Sequence, residues 1–267
     1  MLRFHRAGRS HSGLVRAVNE DSGFAGPSLV LVADGVGGAA AGEVASATAA
    51  YVTSALALGR PDADPVAVLT EAVRLTHEQL EVGTAQDPSR TGMGTTLTAL
   101  LTDGARVALC QVGDSRAYLL RDGTLTQLTR DQTFVQLLVE QGVITREQAR
   151  RHPRKNVVLQ ALEAGHPAEP DVGLVDVRLG DRLLVCSDGL TDLVEDDQVR
   201  VCLEQPDAEE AAQALVDAAL AAGGVDNVTC VVADVEDGPR LVPDGARLGA
   251  FSSPDLVVDP AAVHALG

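Results

Sequence analysis

The chain has no tryptophan, only two tyrosines and four phenylalanines in 267 residues. Its core must therefore be built from Ala, Val and Leu, and an apolar content of 45% is enough to build one. Lysine occurs once, at Lys155, followed by Asn156. That excludes the Gly-Lys-Ser/Thr phosphate loop of the P-loop nucleotide hydrolases, and the basic, His-Pro context of Lys155 excludes the strand lysine of a protein kinase. Cys110, Cys186, Cys202 and Cys230 form no C-x-x-C pair, and most lie in apolar runs, where they read as small buried hydrophobes. The first residues, "MLRFHRAGRS", lack an apolar signal core, and no run approaches the about 18 apolar residues of a membrane span. A soluble, cytoplasmic protein with reduced thiols is expected. Positive charge is short as well: 21 Lys and Arg against 38 Asp and Glu leave a net charge of −17. A chain this acidic repels nucleic-acid backbones and anionic membrane surfaces, so neither is expected as a partner.

What is present is a series of short apolar runs. "SLVLVAD" (28–34) reads as a buried strand ending in a tight turn. A helix is expected over 37–59, stopped by Gly59 and Pro61, and a second over 65–82 with Asp64 as N-cap and Pro65 as its first residue. "TTLTALLT", "ARVALCQVG", "RAYLLRDG" and "TLTQLT" are short strands whose Asp103-Gly104 and Asp122-Gly123 pairs signal hairpins. Residues 131–151 read as a charged helix. "RLLVCSD" (182–188) is another strand, Asp207 and Glu210 suit a capping box for a helix running to about Gly223, and "NVTCVVADV" (227–235) is a last strand. Hairpins and paired helices without regular strand–helix alternation predict an α+β fold with antiparallel sheets. The Gly/Pro/Asp-rich stretch from 237 to 267 is expected to be a loosely attached or disordered tail, although "DLVVDPAAV" could dock.

An Asp recurs at the ends of these apolar strands: Asp34, Asp114 and Asp188, with Asp226 just before the last strand. A carboxylate at the lip of a core is costly to ionise, and several together raise one another's pKa. A hard divalent cation removes the penalty, because carboxylates, carbonyls and waters are the donor set of Mg²⁺ or Mn²⁺. A pair of such ions could lower the pKa of a shared water. The alternative is that each Asp-Gly is only a turn. That alternative holds for Asp103 and Asp122, which sit at ordinary hairpin spacing. For Asp34 and Asp188 composition leaves both readings open, and neither spacing nor period brings the four residues together in space.

At these residues the chain resembles the protein phosphatase 2C family, the metal-dependent Ser/Thr protein phosphatases, in its bacterial form. The likeness runs from residue 8 to about 235 through six ordered segments: "GLVRAVNEDS" (13–22), "VADGVGGAAAGEVAS" (32–46), "GMGTTLTALL" (92–101), "VGDSRAYLLRDG" (112–123), "LLVCSDGLTDLV" (183–194) and "GGVDNVTCVV" (223–232). The resemblance implies a four-layer α/β/β/α sandwich of two antiparallel sheets flanked by helix pairs, with a metal cleft at one end. It implies a catalytic domain over 1–236, with a flap at about 128–165, and a tail over 237–267. Carried over by position, Asp34 would bridge two Mn²⁺ or Mg²⁺ ions and the Gly35 carbonyl would bind one of them. Asp188 and Asp226 would hold the other, and Glu20 would sit near the cluster as a ligand, directly or through water. Arg16 would grip the substrate phosphate with its planar fork of donors. Asn227 would support the site. Asp114, with Asp188 and Asp192, resembles a weaker third-metal site. The implied reaction is direct attack of a bridging metal-bound hydroxide on the phosphorus of phosphoserine or phosphothreonine, with no covalent enzyme intermediate. The implied partners are phosphorylated proteins, including the bacterial Ser/Thr kinases it would oppose, and a monomer is expected.

The chain departs from the family pattern in places. Val36 stands where animal members have a His assigned as leaving-group acid, so the resemblance implies proton delivery by a metal-bound water or another group. Gln132-Thr133 replaces the usual His-Ser of the flap. Other patterns compete with this reading. "CQVGDSR" matches the C-x5-R loop of cysteine-dependent phosphatases, but Leu109 precedes the Cys where those enzymes have His, and the Cys lies mid-strand. "GVGGAAAG" (35–42) lacks the G-x-G-x-x-G spacing of a dinucleotide loop. The six His are scattered without metal spacing, and the Arg cluster at 150–154 reads as a solvated helix end or a contact for acidic phosphopeptides. A non-catalytic relative would be expected to have lost an Asp of the cluster, and none is missing. A phosphatase dedicated to an anti-sigma-factor circuit would be expected to carry sensor domains.

Overall fold

The computed structural model describes residues 1–36, 41–239 and 244–264. In chain order its strands are β1 (Leu2–His11), β2 (Ser22–Ala25), β3 (Leu29–Ala33), β4 (Gly35–Val36), β5 (Gly94–Thr95), β6 (Leu97–Thr102), β7 (Val107–Val112), β8 (Arg116–Arg121), β9 (Thr124–Gln127), β10 (Leu162–Glu163), β11 (Asp171–Val175), β12 (Arg182–Cys186), β13 (Val228–Asp237) and β14 (Ala246–Gly249). The α-helices are α1 (Gly42–Gly59), α2 (Pro65–Gln86), α3 (Phe134–Glu140), α4 (Arg146–Arg150), α5 (Asp188–Thr191), α6 (Asp196–Leu203), α7 (Ala208–Ala221) and α8 (Pro260–His264). One sheet runs β1-β13-β12-β8-β9 and a second β11-β7-β6-β3-β2-β14, while the short β10-β5-β4 forms a third. Every named pairing is antiparallel.

The layers follow from side-chain alternation along strands buried on both faces. In β12, Leu183 and Val185 point between the two large sheets, where they meet Val30, Val32, Leu100 and Val231. Leu184 and Cys186 point the other way, into a cluster with Val199, Leu203, Ala212 and Leu215 of α6 and α7. The opposite outer layer packs Val44, Ala45, Leu69 and Val73 of α1 and α2 on Leu29, Leu31, Leu97 and Ala99. This is the expected α/β/β/α sandwich. Most of α1 is buried, and its run of Ala, Ser and Thr lets neighbours approach closely.

The helix boundaries follow local chemistry. Asp64 caps α2 by accepting from Ala67 N at 3.1 Å, and Pro65 opens the helix, which continues four residues past the expected end to Gln86. Asp207 caps α7 through Glu210 N at 2.8 Å. The helix expected from 37 begins at Gly42, and residues 37–40 lie outside the described residues. The single helix expected over 131–151 is instead two, α3 and α4. Gly142 adopts a left-handed φ of 69° after α3, and Thr145 and Gln148 start α4 with a reciprocal capping box.

The loose tail expected after 236 is corrected as far as it is described. β13 runs on to Asp237, and β14 pairs with β2. Phe251 is 1% exposed and packs against Phe24 and Tyr51, while Tyr51 Oη donates to Pro260 O at 2.8 Å. The turn at Gly249, with φ 59°, lets Ala250 N donate to Asp21 O at 2.7 Å. Replacing Phe251 by Ala should therefore destabilise the protein by about 3 kcal/mol in urea unfolding. An unchanged midpoint would mean that this segment is not part of the core.

Candidate active site

Strand ends from both large sheets meet at one end of the sandwich. Asp34 leaves β3 and Asp114 follows β7, both in the six-stranded sheet. Asp188 opens α5 directly after β12, and Asp226 precedes β13, both in the five-stranded sheet. The loop from 12 to 21 between β1 and β2 brings Arg16 and Glu20 to the same place.

The carboxylates act on one another. Burial pushes the Asp34 carboxyl well above the usual carboxylate range, and the charges of Asp21, Asp188 and Asp114 push it further. Asp188 is raised well above that range too, by burial and then by Asp114, Asp192, Asp226 and Asp21. Asp114 is pushed up to about 6, by burial and then by Asp131, with Asp192 adding to it. Burial also raises Glu20, with Glu43 and Asp226 contributing. Asp34, Asp114 and Asp188 thus lie within electrostatic reach of one another, Asp226 within reach of Asp188 and Glu20, and Arg16 within reach of Asp226, Glu20 and Asp34.

Sequence reasoning missed Asp21. It is fully buried, its carboxyl is pushed up to about 6 by that burial, and Ser187 and Thr229 hydroxyls partly offset the shift. Ser187 Oγ donates to Asp21 Oδ2 at 2.7 Å, whereas Oδ1 is buried without a hydrogen-bond partner. The available signal was the adjacent carboxylate pair of "NEDS", in which only Glu20 was singled out.

The frame around these groups is polar and tight. Asp34 N donates to Thr96 Oγ1 at 2.9 Å, and Asp34 O accepts from Thr96 N at 2.9 Å and from Thr95 Oγ1 at 3.0 Å. Thr96 and Ser115 share a hydroxyl hydrogen bond of 2.7 Å, which links the Asp34 and Asp114 turns. Asn227 ties three loops: its Oδ1 accepts from Glu20 N at 2.8 Å, and its Nδ2 donates to Ser12 O at 3.0 Å and Val18 O at 2.9 Å. Arg16 Nη2 donates to Asp226 Oδ2 at 2.8 Å while half its side chain stays exposed. Gly35 is wedged between backbones, since a Cβ there would lie 2.5 Å from Gly42 O and 2.7 Å from Glu20 O.

Beside the cluster opens a cleft of about 780 Å³, whose lining includes Asp114, Asp188 and Asp192 together with Arg130, Arg146 and Lys155 from the segment expected to form a flap. The sole lysine reaches across it, and Lys155 Nζ donates to Asp192 Oδ2 at 2.6 Å. Gln132 anchors the flap base, accepting from Gly113 N at 2.7 Å through Oε1 and donating to Gly113 O at 3.0 Å through its backbone N. The residue that departs from the family's flap pattern is therefore bonded beside Asp114.

These donors suit a hard cation: buried carboxylates with raised pKa values, an unpartnered Asp21 Oδ1, and a backbone at Gly35 held free of any side chain. Among the described residues no three His, Cys, Asp or Glu side chains already converge as a complete ligand set. A Mg²⁺-like ion that keeps several waters needs only one or two carboxylates, so the sparse set is compatible with it. The thiol alternative loses its basis. Cys110 is buried in β7 and pushed up to about 12 by burial, and Arg116 is held by Asp131 at 2.6 and 2.8 Å and by Tyr118 Oη at 2.9 Å. The Arg cluster is paired rather than free: Arg150 with Glu195, Arg151 with Glu147, and Arg154 stacked on Phe134.

The molecule is thus an antiparallel α/β/β/α sandwich with an acidic, cation-binding type of cleft at one end of its sheets. It belongs to the protein phosphatase 2C family, whose model matches residues 7–222. The chain is 49% identical over 231 residues to the serine/threonine protein phosphatase PstP of Mycobacterium tuberculosis, covering 86% of this chain and 45% of that protein. It thus spans about half the length of that relative. It is 35% identical over 247 residues to the serine/threonine phosphatase stp of Listeria welshimeri, covering 86% and 95%. The crystal structure of the PstP catalytic domain in complex with two manganese ions superposes with a TM-score of 0.83 at 48% identity, over 89% of this chain and all of that one.

Gly189 provides a local test of this geometry. A Cβ there would collide with Asn227 O, so Gly189→Ala must push α5, and Asp188 with it, away from the loop of Asp226. A loss of about 2 kcal/mol in urea unfolding is expected. Wild-type stability would show that the two loops are not held in this contact.

Proposed function

We propose that this chain is a Mn²⁺- or Mg²⁺-dependent phosphoserine/phosphothreonine protein phosphatase that opposes bacterial Ser/Thr kinases. The observation that carries this reading is the nearness of four buried carboxylates beside a cleft: the charges of Asp21 and Asp114 add to burial in raising both Asp34 and Asp188. In this reading Asp34 and the Gly35 carbonyl hold ions together with Asp188, Asp226 and Glu20, and Asp114 with Asp192 forms a weaker third place. When bound, the metals supply Lewis acidity and lower the pKa of water for attack on phosphorus.

The chain's own residues do the rest. Arg16 binds and orients the phosphate oxygens, and Asp226 limits where its guanidinium can go. Binding turns the exposed part of the Arg16 fork towards two oxygens at once, which fixes the phosphoryl group relative to Asp34. Ser187 holds Asp21 Oδ2, which leaves the buried Oδ1 able to accept a further hydrogen bond. Asn227 keeps the Glu20 and Asp226 loops in register. Val36 holds no proton, so no side chain at that position protonates the leaving alkoxide. A non-catalytic regulator of the same fold is the poorer reading, because every acidic residue of the cluster is kept. Phosphorylated proteins as partners, a monomeric state and a cytoplasmic location belong to the same proposal. Among the described residues no helix is long and apolar enough to cross a membrane.

Hydrolysis of a phosphothreonine peptide should require added Mn²⁺ in the wild type and be lost in Asp188→Asn. Equal rates with and without metal in both proteins would defeat the mechanism. Activity should fall with a chelator and survive iodoacetamide, because all four thiols are buried. Inactivation by iodoacetamide alone would restore the cysteine reading. Arg16→Ala should raise KM more than it lowers kcat, and an unchanged KM would remove Arg16 from phosphate binding.

A further inference from the structure

Large apolar side chains are exposed at Leu14 (66%), Val15 (68%), Val18 (57%) and Val225 (52%). These four occupy two loops, 12–19 and 223–227, that are joined to each other. Leu14 N donates to Gly224 O at 2.7 Å, Asn227 Nδ2 donates to Ser12 O and Val18 O, and Gly13, with φ 77°, lies so close to Asp226 O that no side chain would fit between them. The same loops carry Arg16 and Asp226. Val15 directly precedes the phosphate-binding arginine, and Val225 directly precedes Asp226, to which that arginine is bonded. Single exposed apolar residues need no explanation, but four on one hydrogen-bonded pair of loops make a patch. The cleft beside Asp114 and Asp188 is lined instead by charged residues such as Arg130, Asp131, Arg146 and Lys155 together with Leu125, Val135 and Val139. The apolar side chains beside Arg16 are thus not part of that lining.

We propose that Leu14, Val15, Val18 and Val225 form a docking rim for the polypeptide around the phosphorylated residue, and that it favours substrates with apolar side chains beside the phosphoserine or phosphothreonine. This rests on the phosphatase reading above. The occupant follows from continuity with the site: a segment that delivers its phosphate to Arg16 must lay its neighbouring residues over the side chains flanking Arg16. Apolar contact also supplies affinity that the chain's charge of −17 does not oppose when the substrate is acidic. A small phosphate ester reaches Arg16 without covering the rim, so the rim separates protein substrates from small ones.

The test uses 4-nitrophenyl phosphate and two phosphothreonine peptides, one with Leu and Val flanking the phosphoresidue and one with Ser and Gly. Each is assayed with Mn²⁺ on the wild type and on the double variant Val15→Ser, Val225→Ser. Wild-type kcat/KM should be about tenfold higher for the apolar peptide, and the variant should lose that advantage mainly through KM, as expected for removing two buried valine contacts. Turnover of 4-nitrophenyl phosphate should stay within about twofold. Equal kcat/KM for the two peptides in the wild type, or an unchanged preference in the variant, would overturn the proposal. So would a concentration-dependent dimer in sedimentation that the variant abolishes without a change in peptide kinetics, since the rim would then be a contact between copies. If none of the three compounds is hydrolysed, the phosphatase reading fails by itself. The rim is then scored by fluorescence anisotropy with non-hydrolysable phosphonate versions of the two peptides, where equal Kd values would overturn it.

Discussion

Like charges buried together are the constraint on which this structure depends. Two antiparallel sheets are stacked so that β3, β7, β12 and the approach to β13 deliver carboxylates to one end, and burial there makes Asp34, Asp188 and Asp114 harder to ionise beside other negative charges. An apolar sandwich has no use for such an arrangement. Divalent cations sharing the site would offset that penalty. In the proposed phosphatase the same ions would reconcile an anionic substrate with a protein of net charge −17.

The surroundings serve to keep those carboxylates from drifting apart. Asn227 binds three loops, Thr96 and Ser115 join the turns of Asp34 and Asp114, and Ser187 fixes one oxygen of Asp21. Buried polar groups of this kind set geometry more than they add stability, because each exchanges a hydrogen bond to water for one to protein. Support extends to the far end of the described chain. β14 pairs with β2, and Ala250 bonds the backbone of Asp21, so a segment remote in sequence steadies a buried carboxylate next to Asp34. The single lysine, Lys155, donates to Asp192 and ties the segment after α4 to the one after α5.

Much of this was legible in the sequence because it rests on local patterns. "LVLVAD" and "LLVCSD" are buried strands that end in Asp, and Asp64 with Pro65 marks the start of a helix whatever lies around it. The residue types at Asp34 and Asp188 could be seen, but their meeting could not, since it depends on the pairing order of two sheets. The ordered family motifs supplied that step. β1 is not legible in the sequence because Arg3, Arg6 and Arg9 interrupt its apolar pattern, and their partners Glu236, Asp244 and Glu209 are 200 or more residues away. The packing of the tail was hidden for a similar reason: Phe251 stands alone in a Gly- and Pro-rich stretch, and only the groove beside Phe24 and Tyr51 gives it a place. Asp21 was passed over because burial, not residue type, separates it from an ordinary strand-edge carboxylate. The break at Gly142 was readable in principle, but the charged periodicity on either side of it suggested one continuous helix.

Calorimetric titration of metal-free protein with Mn²⁺ tests the central claim most directly, because it asks whether the buried carboxylates hold cations without reference to any substrate. The account predicts saturable binding of two ions, as in the manganese complex of the PstP catalytic domain, and loss of that binding in Asp34→Asn. No binding heat in the wild type, or the same stoichiometry and affinity after Asp34 is neutralised, would contradict it.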